Sequence, residues 1–388
     1  MFPTSIFKAS LNKSLFKIMR QYLYLRYRST AFLSQGEVIH EVSKKYINNM
    51  ENEIKNNANY FNPRSKLNTT LGNFEINNPV GLAAGFDKDC EIVTPMSYMF
   101  GFLTVGTVIL NPNEGNHQDP LHNKPRLVVD SKRKSIVNSQ GYPHKGLDYT
   151  VEKLKQYSKH PHGNAKVVLS FSGITEEKTQ DQTLDSLKQI ILLTRDYVDA
   201  YEENRSSPNT PFNRTLFNKD MHVKIHDILQ THAPGKLFIS KFPSYGNLPP
   251  SDDEKQLLLK SAKIFYDIGI DALVINNSRL VDVSSVGLSG KFANDVAGES
   301  GNPLFPYTLK QISDVHSEIP NLKIIACGGI SDGLKVWELL TKGASLFELY
   351  SGLSFYGFGV IHEIHNTLTK RLAGQTLTDY IEKRDKKF

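Results

Sequence analysis

The sequence predicts an α/β protein, a (β/α)8 TIM barrel preceded by an N-terminal helical segment. Three observations lead to this prediction. From residue 71 onward, short apolar runs alternate with amphipathic stretches, as in parallel α/β folds. Eight such runs can be counted, the number of strands that close this barrel. Small or polar residues follow the runs, and in this fold the catalytic and ligand-binding residues lie at the carboxyl ends of the strands.

Charge and cysteine content limit the kinds of function that the chain is expected to have. The 388-residue chain has 46 Lys and Arg against 40 Asp and Glu. Six of the basic residues lie in residues 1–36, which contain no acidic residue, so the remainder holds 40 basic and 40 acidic residues. Because the chain after residue 36 has no net charge, its charge gives no reason to expect nucleic-acid binding. Cys90 and Cys327 lie far apart and the 12 histidines show no metal-ligand spacing, so we expect neither a disulfide nor a metal site.

The first residues predict targeting rather than structure. Residues 1–28 are basic, contain serine and place apolar residues at near-helical spacing, the pattern of a mitochondrial transit peptide. A basic amphipathic helix that lies on a membrane surface is the alternative. No window approaches the roughly 18 consecutive apolar residues of a spanning helix. Residues 29–65 are then predicted as the helical segment, 66–375 as the barrel, and 376–388 as a charged C-terminal tail.

A helix is predicted before the barrel, over residues 34–60. Ser34 and Glu37 have the spacing of a capping box. Apolar positions behind them repeat at helical spacing and predict a face that docks on the core. These positions are Val38, Ile39, Val42, Tyr46 and Ile47.

The eight predicted strands follow. They are Pro79 to Ala83, Phe102 to Val108, Lys166 to Phe171, one near Tyr201, Leu237 to Phe242, Ala272 to Ile275, Leu322 to Cys327, and Ser345 to Leu349. The residues after them should meet on one rim of the barrel. These are Gly85, Lys88, Gly106, Thr107, Ser170, the segment from Asn204 to Thr210, Lys241, Asn276, Asn277, Ser278, Gly328, Gly329, Tyr350 and Ser351.

The segment Asn204-Arg205-Ser206-Ser207-Pro208-Asn209-Thr210 follows the fourth run. Its polar and turn-forming residues predict a loop that holds side chains in place. A serine between two carboxamides could hold a small polar ring and remove one proton from it, if its own proton is passed on. Thr210 could begin such a relay. An ordinary surface turn is the alternative.

Two glycine-bearing loops suggest a phosphate site. Gly328-Gly329-Ile330-Ser331-Asp332 and Tyr350-Ser351-Gly352 free backbone N–H groups where helices begin. Barrels frequently bind a phosphoryl group at the loops after strands seven and eight. A simple tight turn at Gly328 and Gly329 is the alternative.

Several stretches carry a family resemblance: Asn78 to Lys88, Ser206 to Thr210, Gly287 to Lys291, and Gly328 to Ile330 followed by Gly343 to Ser345. They resemble the quinone-dependent dihydroorotate dehydrogenases, the membrane-associated class of mitochondria and many bacteria. The resemblance runs from about residue 77 to 372. It implies a barrel that binds FMN, oxidises dihydroorotate to orotate and passes electrons to ubiquinone. It also implies contact with the inner mitochondrial membrane, peripheral or weakly anchored.

The resemblance implies a role for individual residues. Ser207 would be the base, with Thr210 and Tyr142 as its relay. The substrate would be held by Lys88, Asn138, Asn204, Asn209, Asn277 and Ser278. The FMN site would comprise Ala84, Gly85, Thr107, Asn138, Asn204, Lys241, Asn276, Ser289, Gly290, Gly328, Gly329, Tyr350 and Ser351, with Lys241 facing the isoalloxazine ring. His40 and Arg126 would contact quinone in an apolar tunnel formed by an N-terminal helical hairpin.

Some positions depart from the family pattern. Glu202 and Glu203 stand in the fourth strand, where the family has a buried apolar run, and unpaired buried carboxylates are costly. Two alternatives follow. One of the glutamates points into a polar pocket and pairs with a lysine, or the strand is distorted. Ser170 and Pro143 stand where the family usually has asparagines, and residues 294–306 are interpreted as an insertion. Two hypotheses follow: a working dehydrogenase, or a diverged flavin-binding barrel that is non-catalytic or acts on another substrate.

Overall fold

The structure is a computed structural model that describes residues 36–62, 65–116, 125–172, 179–204, 206, 219–289, 292 and 294–386. The strands are β1 Thr69–Leu71, β2 Phe74–Ile76, β3 Val80–Leu82, β4 Phe102–Val108, β5 Leu127–Asp130, β6 Ser135–Asn138, β7 Lys166–Phe171, β8 Ala200–Asn204, β9 Leu237–Lys241, β10 Ala272–Ile275, β11 Arg279–Asp282, β12 Val296–Gly301, β13 Ile324–Cys327 and β14 Leu346–Leu349. The α-helices are α1 Gly36–Asn49, α2 Glu51–Asn56, α3 Val93–Ser97, α4 Leu147–Lys159, α5 Gln180–Thr194, α6 Lys219–His232, α7 Asp252–Asp267, α8 Phe305–Glu318, α9 Gly333–Lys342, α10 Ser351–Tyr356, α11 Gly359–Arg371 and α12 Leu377–Asp385.

The predicted (β/α)8 barrel is confirmed. Strands β3, β4, β7, β8, β9, β10, β13 and β14 neighbour one another in that order and close into a ring. Their pairing is parallel throughout. Each of the eight predicted apolar runs overlaps one barrel strand, including the run near Tyr201.

Side chains inside the barrel change from apolar to polar along the strands. Because strand residues alternate between two faces, Ala200, Glu202 and Asn204 of β8 share the inner face. Ala200 belongs to an apolar cluster at the amino ends of the strands, to which the hairpin of β1 and β2 adds Leu71 and Ile76. The half of the interior at the carboxyl ends of the strands is polar. The polar side chains that could bind a ligand therefore lie at that end of the barrel.

The outward faces of the strands pack against the surrounding helices in one large apolar cluster. Several of these helices begin with a side-chain cap. Thr179 caps α5 in a capping box with Gln182, Ser251 caps α7, and Asp332 caps α9.

The predicted N-terminal helix is present as α1 and the short α2. Ile39 and Ile47 of its predicted apolar stripe are buried. Gly36 allows α1 to approach strand β5 closely, because a Cβ there would overlap a methyl carbon of Leu127. Ser34, the predicted cap, lies outside the described residues.

A second sheet lies over the barrel mouth. Its four antiparallel strands follow the order β11, β12, β6 and β5. Residues 294–306 supply β12, which pairs with both β11 and β6. The segment interpreted as an insertion therefore contains an inner strand of the sheet. Glu299 of β12 is 1% exposed and bridges Arg133 and Arg279 at 2.7 and 2.8 Å, which ties the sheet together.

The C-terminal segment forms helix α12 against the barrel. Leu377 and Ile381 are buried. Arg384 donates hydrogen bonds of 2.6 Å to the carbonyl oxygens of Leu340 and Ala344 at the end of α9. The segment predicted as a charged tail thus docks through two apolar side chains and one buried arginine. None of the helices in the described ranges is long and apolar enough to span a membrane.

Candidate functional site

A pocket opens at the carboxyl ends of the barrel strands, beneath the second sheet. It gathers most of the predicted site residues, from seven of the eight barrel strands and their loops and from the second sheet. Those that line it are Ala84, Gly85, Lys88, Thr107, Asn138, Tyr142, Asn204, Lys241, Asn276, Asn277, Ser278, Gly328, Gly329, Tyr350 and Ser351.

Asn204 is the centre of the hydrogen-bond network in this pocket. Its amide donates to the Thr107 hydroxyl at 2.7 Å, and its side-chain oxygen accepts from the Asn277 amide at 3.2 Å. Asn277 also donates to the Ser206 hydroxyl at 3.0 Å. The Tyr142 hydroxyl donates to the backbone oxygen of Asn204 at 3.3 Å. Three loops are thereby held in fixed relation around one face of the pocket.

The two unexpected glutamates of β8 are both accommodated without distortion of the strand. All five residues of β8 pair in regular register with β9. Glu202 points into the barrel, with its carboxylate 3.8 Å from the Lys241 ammonium. Glu203 points outward, and one of its oxygens lies 3.2 Å from Nδ1 of His222. The prediction that one glutamate pairs with a lysine is confirmed, and the distorted-strand alternative is excluded.

Lys241 lies on the floor of the pocket between two carboxylates. Glu348 of β14 accepts a hydrogen bond from the Lys241 ammonium at 3.3 Å. Thr104 donates to the other Glu348 oxygen at 2.7 Å. The sequence analysis passed over Glu348, although a glutamate inside a predicted barrel strand was the same signal that identified Glu202.

Gly328 and Gly329, at the end of β13, line the pocket, and packing also requires glycine at position 329. Gly329 has φ +73°, and a Cβ there would overlap the backbone nitrogen of Phe305. A side chain is therefore excluded by packing, whatever binds nearby. Ser351, in the next loop, lies 3.0 Å from Ser300 of β12, hydroxyl to hydroxyl.

A second cavity separates α1 from the barrel loops, and His40 and Arg126 both line it. His40 stacks parallel to Tyr350, with ring centroids 6.4 Å apart. Burial and then the charges of nearby lysines hold the pKa of His40 well below its usual value, so its ring is neutral. Arg126 pairs with Glu37 at 3.1 Å. Lys88 lines both cavities and thus stands between them.

The lining of the second cavity differs from the apolar tunnel implied by the resemblance. Eight of the residues that line its described part, from α1 and the loops, have charged side chains. Lys44 of α1 is 4% exposed and bridges Glu41 at 2.8 Å and Glu91 at 2.6 Å. The pair with Glu91 fastens α1 to the loop after β3, whereas Glu41 lies on α1 itself.

Five predicted site residues remain, and the structure describes one of them, Ser289. Ser289 is exposed on the loop before β12. Ser207, Asn209, Thr210 and Gly290 lie outside the described residues. Ser206, next to Ser207, is 4% exposed and held by the Asn204 network.

The sequence is similar to a known protein family and to curated proteins of that family. The family model described as Dihydroorotate dehydrogenase matches residues 66–372. A Coxiella burnetii protein named dihydroorotate dehydrogenase (quinone) is 32% identical over 318 residues, covering 78% of this chain and 84% of that protein. A protein of the same name from Xanthobacter autotrophicus is 30% identical over 310 residues, covering 79% and 83%.

Solved structures agree with the sequence relatives. The crystal structure of DHODH from Eimeria tenella in complex with ferulenol superimposes with a TM-score of 0.69 at 27% identity. The match covers 82% of this chain and 88% of that one.

The predicted mitochondrial location at the inner membrane was wrong. The curated relatives described above are bacterial enzymes. The resemblance to a class that occurs in both settings could not decide the location, and residues 1–28 lie outside the described part of the chain.

Proposed function

We propose that this chain, which belongs to the dihydroorotate dehydrogenase family, oxidises dihydroorotate to orotate in pyrimidine biosynthesis and passes the electrons to a quinone. The family resemblance drawn from the sequence is thereby confirmed. One observation supports this pocket as the active site: six of the residues predicted to act on the substrate line a single cavity. They are Lys88, Asn138, Tyr142, Asn204, Asn277 and Ser278.

The pocket has the donors and acceptors that FMN would need. The Asn276 side chain is 0% exposed, and its oxygen has no hydrogen-bond partner among the described residues. An unpaired buried acceptor is costly, and an N–H of a bound ring would satisfy it. Lys241, Thr107, Asn204 and Asn276 would hold the ring, and the loops after β13 and β14 would hold the phosphate. FMN, when bound, supplies the acceptor for the two electrons of the substrate.

The substrate would lie against the carboxamides of the rim. Asn277 already donates a hydrogen bond to Asn204, and Asn204 donates one to Thr107, so little ordering is needed when a ligand arrives. Burial and then the nearby charge of Lys44 lower the pKa of Lys88 to about 8. A carboxylate bound beside Lys88 would favour its charged form, and dihydroorotate carries such a group.

Ser207 is proposed as the base that removes the substrate proton. This role rests on the resemblance, and the described residues support its setting. Ser206 is hydrogen-bonded to Asn277, so the chain enters the Ser207 loop from a fixed point at the pocket edge. Tyr142 lies in the same pocket and would help to carry the proton onward.

Quinone, for which we propose ubiquinone, would bind in the second cavity. The Nε2 atom of His40 is buried and has no hydrogen-bond partner among the described residues. A quinone carbonyl would satisfy it if that nitrogen carries the proton. Because His40 stacks on Tyr350 of the first pocket, the acceptor would lie close to the flavin site.

An anaerobic visible spectrum of the purified full chain tests the proposal. Bound flavin should be visible and should bleach on addition of dihydroorotate, and a quinone should restore the absorbance. Flavin that does not bleach would contradict the substrate assignment and favour the altered-substrate or non-catalytic hypothesis. A protein that takes up no FMN, as isolated or after incubation with it, would contradict the cofactor assignment.

A further inference from the structure

Three ionisable side chains share the interior of the barrel below the pocket. They are Glu202 of β8, Lys241 of β9 and Glu348 of β14, with exposed fractions of 0, 4 and 2%. Only one of the three is a cation. Two carboxylates and one ammonium in a closed interior make an unusual set, because buried carboxylates ordinarily need a partner each.

Their depth follows from the strand geometry. Lys241 is the register partner of Asn204, which lines the pocket, so the ammonium lies at the pocket floor. Glu348 lines the same floor. Glu202 stands two residues before Asn204 on the same face, which places it about 7 Å deeper along the strand. The Lys241 ammonium therefore has the deeper Glu202 at 3.8 Å and Glu348, at the pocket floor, at 3.3 Å.

The contacts of the two carboxylates differ. Glu348 is hydrogen-bonded to Lys241 and to the Thr104 hydroxyl. Glu202 has the longer contact of 3.8 Å to Lys241, and burial raises its pKa to about 7. Cys327 also lines the floor, and burial raises the pKa of its thiol to about 12, so it adds no charge. Lys241 and the two glutamates thus set the charge below the pocket.

We propose that Glu202 and Glu348 are positioning residues for Lys241, which hold its ammonium at the pocket floor and offset its charge beneath the flavin. The inference rests on the proposed FMN site. Addition of electrons to a bound flavin is favoured by a nearby positive charge and opposed by a negative one. The two glutamates therefore lower the midpoint potential of the bound flavin relative to a pocket with an unaccompanied lysine.

The test is a spectroelectrochemical titration of the FMN-loaded full chain at pH 8, where Glu202, with its pKa of about 7, is mostly ionised. Glu202→Gln and Glu348→Gln keep the side-chain size and remove one carboxylate each. Each should shift the flavin equilibrium toward reduction by about tenfold, which is about 30 mV upward for a two-electron couple. Glu203→Gln is the matched control, because Glu203 is next in the strand and equally buried but points away from the pocket. Its midpoint potential should equal that of the wild type.

The outcomes separate this inference from the proposed function. Flavin that binds with an unchanged or lowered potential in both pocket variants would overturn the role of the glutamates and leave the enzyme assignment intact. A wild-type protein that cannot be loaded with FMN would overturn both. If Glu202→Gln does not fold, Glu348→Gln decides alone, and an equal rise in Glu203→Gln would show a general effect of charge removal, which also overturns the inference.

Discussion

Substitution of Glu202 by glutamine should change how stability depends on pH. Burial raises the pKa of Glu202 from 4.5 to about 7, while Lys241 opposes the shift. The unfolded chain releases this proton near the ordinary value. Between these two pH values the folded state binds more protons than the unfolded state, so the free energy of unfolding falls as the pH rises.

The magnitude follows from the two pKa values. Each pKa unit corresponds to about 1.4 kcal/mol. From pH 5 to pH 8, the wild type should lose about 2.5 kcal/mol more free energy of unfolding than Glu202→Gln, because the variant has no proton to release at this position.

Urea denaturation at both pH values measures the difference. Glu338 is exposed on α9, so Glu338→Gln is the control for the substitution itself and should retain the wild-type pH dependence. Equal pH dependence in the wild type and Glu202→Gln would refute the buried, protonatable state of Glu202. A wild type that gains stability relative to the variant as the pH rises would refute it as well.

Three further predictions concern the site and the fold. Ser207→Ala should retain flavin but slow its bleaching by dihydroorotate by about 10² to 10⁴-fold in stopped-flow measurements, and an unchanged rate would remove Ser207 from the mechanism. His40→Ala should spare that step and slow only reoxidation by quinone; equal loss in both half-reactions would contradict the acceptor site. Arg384→Ala should lower the free energy of unfolding by about 2 kcal/mol, because it leaves two buried carbonyl oxygens without their charged donor. Urea denaturation would show this loss, and an unchanged midpoint would mean that α12 does not depend on that arginine.

The barrel and the rim could be read from the sequence because both depend on local patterns. Apolar runs of strand length and the residues that follow them are short-range features, and parallel strands bring their carboxyl ends to one side. This is why Asn204, Asn277 and Lys241 could be expected in one pocket from the order of residues alone. The family motifs lie in the same loops and led to the same residues.

Contacts across the barrel depended on the tertiary structure. The sequence predicted a partner for a buried glutamate, but the position of Glu348 beside the same lysine follows from ring closure, which brings side chains of β8, β9 and β14 together. Likewise, the inner position of β12 in the second sheet depends on pairing with the distant β6. The charged lining of the second cavity depends on how α1 docks. Each of these is a long-range pairing, and side-chain periodicity along the chain carries no information about it.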